Sequence, residues 1–155
     1  MDLFEWMFII SAFIFFVSMI SALILMANDK MKTVLIFGIV LAILMIPIAG
    51  ILINFIIVGK EMKFIIYLIL ILGYLMAEFL LDRVFKIDFR SKVSQHVLYI
   101  ILEYAACFSF VFGVLSLDMT IGWIISLFFW AFLGALVYYI ILVRKKKKVE
   151  KLIKK

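Results

Sequence analysis

Five long apolar stretches, separated by short charged connectors, account for nearly all of this chain. It has 155 residues, of which 69% are hydrophobic, whereas soluble domains contain about 45–50% apolar residues. A soluble globule of this size leaves too much of its surface in water to hide so many apolar side chains. The pattern therefore predicts an all-α, polytopic integral membrane protein.

The apolar stretches favour helices over a β-barrel. Backbone N–H and C=O groups within the lipid must bond internally, which restricts spanning segments to helices or closed barrels. Barrel strands alternate apolar and polar residues, whereas segments 35–46 and 64–72 are continuously apolar. Since a helical span takes about 20 residues, the sequence predicts one transmembrane domain over residues 1–155. Its five spans are placed at 3–27, 33–58, 64–84, 93–117 and 120–143, followed by a basic tail at 144–155.

The positions of the basic residues predict an orientation. When five spans alternate across a bilayer, fourteen of the sixteen Lys and Arg residues fall on one side, and Lys60 and Lys63 fall on the other. The positive-inside rule then places the N-terminus outside and the C-terminus in the cytoplasm of a plasma-type cell membrane.

The net charge of +6 is interpreted as a membrane-edge signal, not a nucleic-acid-binding surface. The predicted partners are the lipid bilayer and anionic lipid headgroups, which the basic tail attracts. A homo-oligomer and a larger membrane complex are both left open, and no nucleic-acid partner is predicted.

Polar side chains within the apolar stretches are concentrated in the third and fourth spans. The third span carries three of them at intervals of four residues, and the fourth carries three at intervals of three and four, so each set occupies one helix face. A short connector makes the two helices antiparallel, which brings the two faces to a similar depth. The predicted binding residues are Tyr74, Glu78 and Asp82 in the third span and His96, Tyr99 and Glu103 in the fourth.

Glu78 and Glu103 are the most informative members of this set. Insertion scales assign an acidic residue at a helix centre a cost of about 2.5–3.5 kcal/mol, so such a side chain faces the bundle interior or a water-filled cavity. Glu103 has apolar neighbours on both sides and is too short to reach the interface. Two interpretations stay open: a polar cluster that fixes helix pairing, and a binding or proton-handling site that opens to the cytoplasm.

Two further interpretations of the polar residues are a metal site and a phosphate site. Acids with one histidine suit a hard or borderline cation, but the Glu-x-x-His and His-Glu-x-x-His spacings are absent, so no metal ligand is assigned. No cofactor is predicted, because Gly-rich phosphate loops and paired Cys motifs are absent as well. Arg83, Lys86 and Arg90 are a candidate site for a lipid headgroup or phosphate. The alternative is a solvated loop with weak local ion pairs.

The functional expectation is a small multi-pass membrane protein that binds or transports a small cation, a proton or a polar solute at an acidic intramembrane site. Two alternatives stay open: a non-enzymatic accessory subunit of a larger membrane complex, and an enzyme that acts on lipid headgroups. No catalytic residue is assigned.

Overall fold

The described part of the chain folds into five helices. The computed structural model describes residues 1–80 and 93–153, except for the side chains of residues 31, 93–98 and 147–153. The elements are α1 (Leu3–Ala27), α2 (Met31–Val58), α3 (Met62–Phe79), α4 (Val93–Leu117) and α5 (Met119–Ile153). Each of the five is long and apolar enough to cross a membrane, which confirms the all-helical prediction and the number of membrane-length helices. Helix α5 is longer than the predicted fifth span, which ends at residue 143, because it continues through the basic segment to Ile153.

Local capping groups define where the helices begin and end. At the start of α1, the Glu5 N–H donates to Asp2 Oδ1 at 2.8 Å, and the Asp2 N–H donates to Glu5 Oε2 at 2.9 Å, forming a capping box. Helix α2 ends at Gly59, whose φ of 71° is a left-handed conformation that favours glycine. Before α5, Asp118 Oδ1 accepts from the Ile121 N–H at 2.9 Å. These caps allow connectors of a few residues, which make neighbouring helices antiparallel.

The helices pack as a closed ring. Each of α1 to α4 contacts the next helix along the chain, α5 returns to contact α1, and α1 also touches α4 across the ring. We call the end at which α1 begins the N-terminal end of the bundle. The opposite end, where α1, α3 and α5 finish, is the C-terminal end. The two halves of the ring differ in how their centre is filled.

Aromatic rings fill the centre of the N-terminal half. The ring of Phe110 lies 5.5 Å from that of Phe8 and 4.9 Å from that of Phe15, measured between centroids, and all three side chains are fully buried. Gly113 permits this packing, because a Cβ at that position would lie 2.7 Å from the Phe8 ring. We refer to Phe8, Phe15 and Phe110 as the aromatic plug. It joins α1 to α4 and fills the centre of that half of the bundle.

The outside of the bundle is apolar along the helices. On α5, Trp123, Leu127 and Trp130 are each more than 60% exposed, and on α2 Ile57 is 77% exposed. Monomeric soluble proteins rarely expose contiguous apolar patches of this kind. The surface is suited to contact with lipid chains.

Candidate functional site

The C-terminal half of the ring contains a cavity of about 800 Å³, to which all five helices contribute. Its apolar wall comes mainly from α1, α2 and α5. Its polar groups come mainly from α3 and α4, which supply Tyr74, Glu78, Tyr99 and Glu103, with Tyr139 added from α5. The cavity therefore has one polar side and one apolar side.

A chain of hydrogen bonds crosses from α3 to α4 and back. The Tyr99 hydroxyl donates to Oε2 of Glu78, and the Tyr74 and Tyr99 hydroxyl oxygens lie 3.1 Å apart. A hydroxyl carries a single proton. Tyr99 uses its proton for Glu78, and the Tyr74 hydroxyl has two acceptors within reach, the Tyr99 oxygen at 3.1 Å and the Met19 sulfur at 3.5 Å. The hydrogen-bonded chain thus joins Tyr74, Tyr99 and the Glu78 carboxyl group, and neighbouring bonds polarise one another.

Tyr74 is the floor of the cavity. Its side chain is fully buried, its ring lies 5.8 Å from the ring of Phe15 in the aromatic plug, and its hydroxyl lies 3.5 Å from the sulfur of Met19. Tyr74 thus contacts the aromatic plug on one side and lines the cavity on the other. It therefore lies at the boundary between the two.

Glu103 adds a second carboxyl group to the same cavity. It follows Tyr99 by four residues on α4, which places both on one helix face. Glu78 and Glu103 are half-buried and both line the cavity. Within the described part of the chain, the cavity lining contains these two acids and no Lys, Arg or His. The described polar side of the cavity therefore presents two carboxyl groups.

The structure brings together four of the six residues that the sequence assigned to a binding site: Tyr74, Glu78, Tyr99 and Glu103. Their functional role stays a prediction. His96 lies near the start of α4, and its side chain is not described. Four other predicted residues lie outside the described residues, so the headgroup hypothesis also stays a prediction; they are Asp82, Arg83, Lys86 and Arg90. Among the side chains that the structure describes, no three His, Cys, Asp or Glu residues come together as a metal site.

The apolar wall of the cavity could not be predicted from the sequence. Met19 and Leu23 of α1, Leu41 of α2 and Leu136 of α5 all line it. Nothing in a run of apolar residues separates those that face a cavity from those that face lipid. Tyr139 of α5, which is not among the predicted binding residues, also lines the cavity.

An ion pair between Glu5 and Lys60 at the N-terminal end was also not predicted from the sequence. The Glu5 carboxylate, 11% exposed, accepts a hydrogen bond from Nζ of Lys60, and this bond raises the pKa of Lys60. The Lys60 ammonium lies 5.6 Å and 5.9 Å from the ring centroids of Phe55 and Phe64, within the range of cation–π attraction. The pair ties the start of α1 to the α2–α3 connector beyond the aromatic plug.

A second long-range contact lies at the C-terminal end. Nζ of Lys146 donates to the Ala27 carbonyl oxygen at 2.9 Å and to the Asp29 carboxylate. The extended part of α5 is thereby attached to the α1–α2 connector. The basic run, which the sequence analysis assigned to lipid headgroups, has at least one intramolecular partner.

Comparison with known protein families, with curated proteins and with solved structures finds no match for this chain.

Proposed function

We propose that this chain is an integral protein of the cell membrane that binds a small cation or cation-bearing solute in the cavity of its C-terminal half. The observation that carries the proposal is that Glu78 and Glu103, on different helices, line one cavity of about 800 Å³ inside a bundle of membrane-length helices. Acids within membrane spans are rare and commonly mark ion or substrate sites. Cavities of about 300–1,000 Å³ are typical of small-molecule sites.

The surface supports insertion with the C-terminal end in the cytoplasm. Trp6 and Trp123 lie near the N-terminal end and are 47% and 63% exposed, as expected of an interfacial aromatic belt. Lys30, Lys32 and the basic run from Arg144 lie at the other end, where the positive-inside rule places the cytoplasm. In this orientation the cavity belongs to the cytoplasmic half.

Binding follows from the chemistry of the polar side. The hydrogen bond from Tyr99 orients the Glu78 carboxyl group, and Glu103 supplies a second acceptor on the same cavity wall. Because the apolar wall lowers the local dielectric, attraction between an acid and a bound cation is stronger than it would be in water. The aromatic plug fills the path to the N-terminal end, so the solute enters and leaves through the cytoplasmic half.

The test is thermal unfolding of the purified protein with inorganic cations and organic ammonium ions. The variants are Glu78→Gln and Glu103→Gln, and the matched control is Glu61→Gln, whose side chain is 70% exposed in a connector. A ligand at one hundred times its Kd stabilises a protein by about 2.7 kcal/mol. We expect at least one cation to shift the wild type and the control, and the shift to be lost in both cavity variants.

Two results would contradict the proposed cation site. If every cation leaves the wild type unchanged, or if the shift persists in both cavity variants, the proposal is wrong. Glu78 and Glu103 would then serve to fix helix pairing, and their Gln variants would unfold at lower temperature than the control.

A further inference from the structure

We infer that the ligand is an amphipathic organic cation, with its positive head at Glu78 and Glu103 and its apolar body against α1, α2 and α5. The inference rests on the proposed function and narrows its ligand to one chemical class. Three features of the cavity carry it: the volume, the division of the wall, and the position at the lipid-facing surface.

The volume is that of an organic molecule. A water molecule takes up about 30 Å³ in the liquid, and an inorganic monovalent cation is of similar size. The cavity of about 800 Å³ lies instead in the range of drug-sized ligands. A metal cation would also require several oxygen ligands, and the described residues offer no cluster of three ligating side chains.

The cavity wall has one polar and one apolar side, and this division argues against solutes that are polar throughout and against anions. Opposite the two acids, the lining includes Met19, Leu23 and Met26 from α1. A solute that is polar throughout would place hydrogen-bonding groups against this wall without partners, which is costly. An ionised carboxylate at Glu78 or Glu103 would repel an anion. Methionine side chains are flexible and adapt to apolar groups of varied shape.

Tyrosine rings suit the head of such a ligand. Tyr74 and Tyr99 pack with their ring centroids 5.7 Å apart, and Tyr104 and Tyr139 also line the cavity. Aromatic faces attract ammonium groups, including quaternary ones that have no hydrogen to donate. Two acids and several tyrosines together provide charge and cation–π contacts for one ammonium head.

The cavity also adjoins the lipid-facing surface. Phe79 lines the cavity and, in addition, a groove of about 240 Å³ formed with Ile39, Ile43 and Ile46 of α2. Those three isoleucines are 44%, 59% and 73% exposed. The seam between α2 and α3 is thus an apolar border between lipid and cavity. A molecule that partitions into the bilayer has a short path to the site there.

The test measures binding of alkyltrimethylammonium ions, from tetramethylammonium to the dodecyl ion, to the full chain in lipid nanodiscs. Each buried CH₂ contributes about 0.8 kcal/mol, so we expect affinity to rise roughly fourfold per carbon until the cavity is filled. Empty nanodiscs and neutral alcohols of equal length measure partitioning into lipid. The double variant Glu78→Gln/Glu103→Gln should remove the difference between each ammonium ion and its matched alcohol.

A size-filling variant tests the apolar wall separately. Ala22 lines the cavity, whereas Ala131 is exposed on the outer face of α5. Ala22→Phe should weaken the long-chain ions by tenfold or more, as expected for the loss of about two buried CH₂ groups, and should leave tetramethylammonium unchanged. Ala131→Phe should alter neither.

Each remaining outcome overturns a defined part of the account. If short ammonium or inorganic cations bind through Glu78 and Glu103 with no dependence on chain length, the inference is wrong and the proposed function stands. If no cation binds, or if binding rises with chain length in the wild type and the double variant alike, the proposed function fails as well.

Discussion

The hydroxyl oxygens of Tyr74 and Tyr99 lie 3.1 Å apart and join α3 to α4 at the floor of the cavity. Tyr74 contacts the aromatic plug through Phe15, and Tyr99 donates onward to Glu78. A fully buried hydroxyl is thus linked to a carboxyl group that lines an open space. The packed half of the bundle therefore holds the polar side of the cavity in position.

Removal of the Tyr99 hydroxyl tests this link. Tyr99→Phe removes the hydrogen bond to Glu78 and the contact with the Tyr74 hydroxyl, and losing a hydrogen bond to a carboxyl group in a buried network costs about 1–3 kcal/mol. We expect a fall of that size in the free energy of unfolding, measured in detergent, together with weaker cation binding. The control is Tyr138→Phe, since the Tyr138 side chain is 45% exposed. Equal stability of the two variants would show that the hydrogen-bonded chain contributes nothing.

Two glycines of α5 provide a matched test of the helix packing. A Cβ on Gly122 would lie 2.6 Å from the Cα of Leu115, whereas a Cβ on Gly134 would meet nothing within 4 Å. Backbone cannot move aside as a side chain tip can, so Gly122→Ala should cost about 1–3 kcal/mol. Gly134→Ala should be neutral or stabilising by about 0.5–1 kcal/mol, because alanine favours the helix. Similar unfolding temperatures for the two variants would contradict the close approach of α4 and α5.

The Glu5–Lys60 pair should contribute more than the neighbouring pair on the surface. The side chains of Lys60 and Glu5 are 26% and 11% exposed, whereas those of Lys63 and Glu61 are 42% and 70% exposed. Breaking an exposed pair costs about 0–1 kcal/mol, and breaking a buried one about 3–5 kcal/mol. We expect Lys60→Met to fall between these values and Lys63→Met to lie at the lower one, measured by unfolding in detergent. If Lys63→Met lowered the free energy of unfolding more than Lys60→Met, the stabilising role of the Glu5–Lys60 pair would be refuted.

The same pair predicts a dependence on alkaline pH. The hydrogen bond with Glu5 raises the pKa of Lys60 above its ordinary value of 10.5. A raised folded-state pKa gives a stabilisation that is complete below the ordinary value and is lost as pH rises through the raised value. The wild type should therefore lose its stability advantage over Lys60→Met as the pH rises above the ordinary lysine pKa of 10.5. A constant difference between their unfolding temperatures from neutral pH to well above 10.5 would contradict the prediction.

The sequence predicted the helices and the polar side of the cavity for reasons that do not depend on the final packing. Intervals of four residues place Tyr74 with Glu78, and Tyr99 with Glu103, on single faces of any α-helix. A connector of limited length then makes those two helices antiparallel. These constraints are local, and the structure retains them.

The remaining features depend on contacts between distant parts of the chain. Glu5 and Lys60 are 55 residues apart, and their individual surroundings give no sign that they meet. The sequence does not mark the apolar wall either, because Met19 and Leu41 lie in long, predominantly apolar segments. Which helices close the ring, and hence which side chains face its centre, is decided by packing such as that of Phe8 against Gly113.

The most direct test is the reactivity of a single cysteine inside the cavity. Cys107 is fully buried, so Cys107→Ala gives a background into which Ala22→Cys, or Leu136→Cys as a second position, introduces one thiol on the cavity wall. Membrane-impermeant thiol reagents of equal size, one cationic and one anionic, are applied to inverted and to right-side-out vesicles. A cleft of one charge sign raises the encounter rate of oppositely charged solutes by about tenfold or more.

We expect rapid modification by the cationic reagent in inverted vesicles alone. After correction for intrinsic reactivity, the cationic reagent should exceed the anionic one by about tenfold or more, and this preference should fall in Glu78→Gln and Glu103→Gln. Equal rates for the two reagents, modification from the opposite side of the membrane, or no modification at either position would contradict an acidic cavity that opens to the cytoplasm.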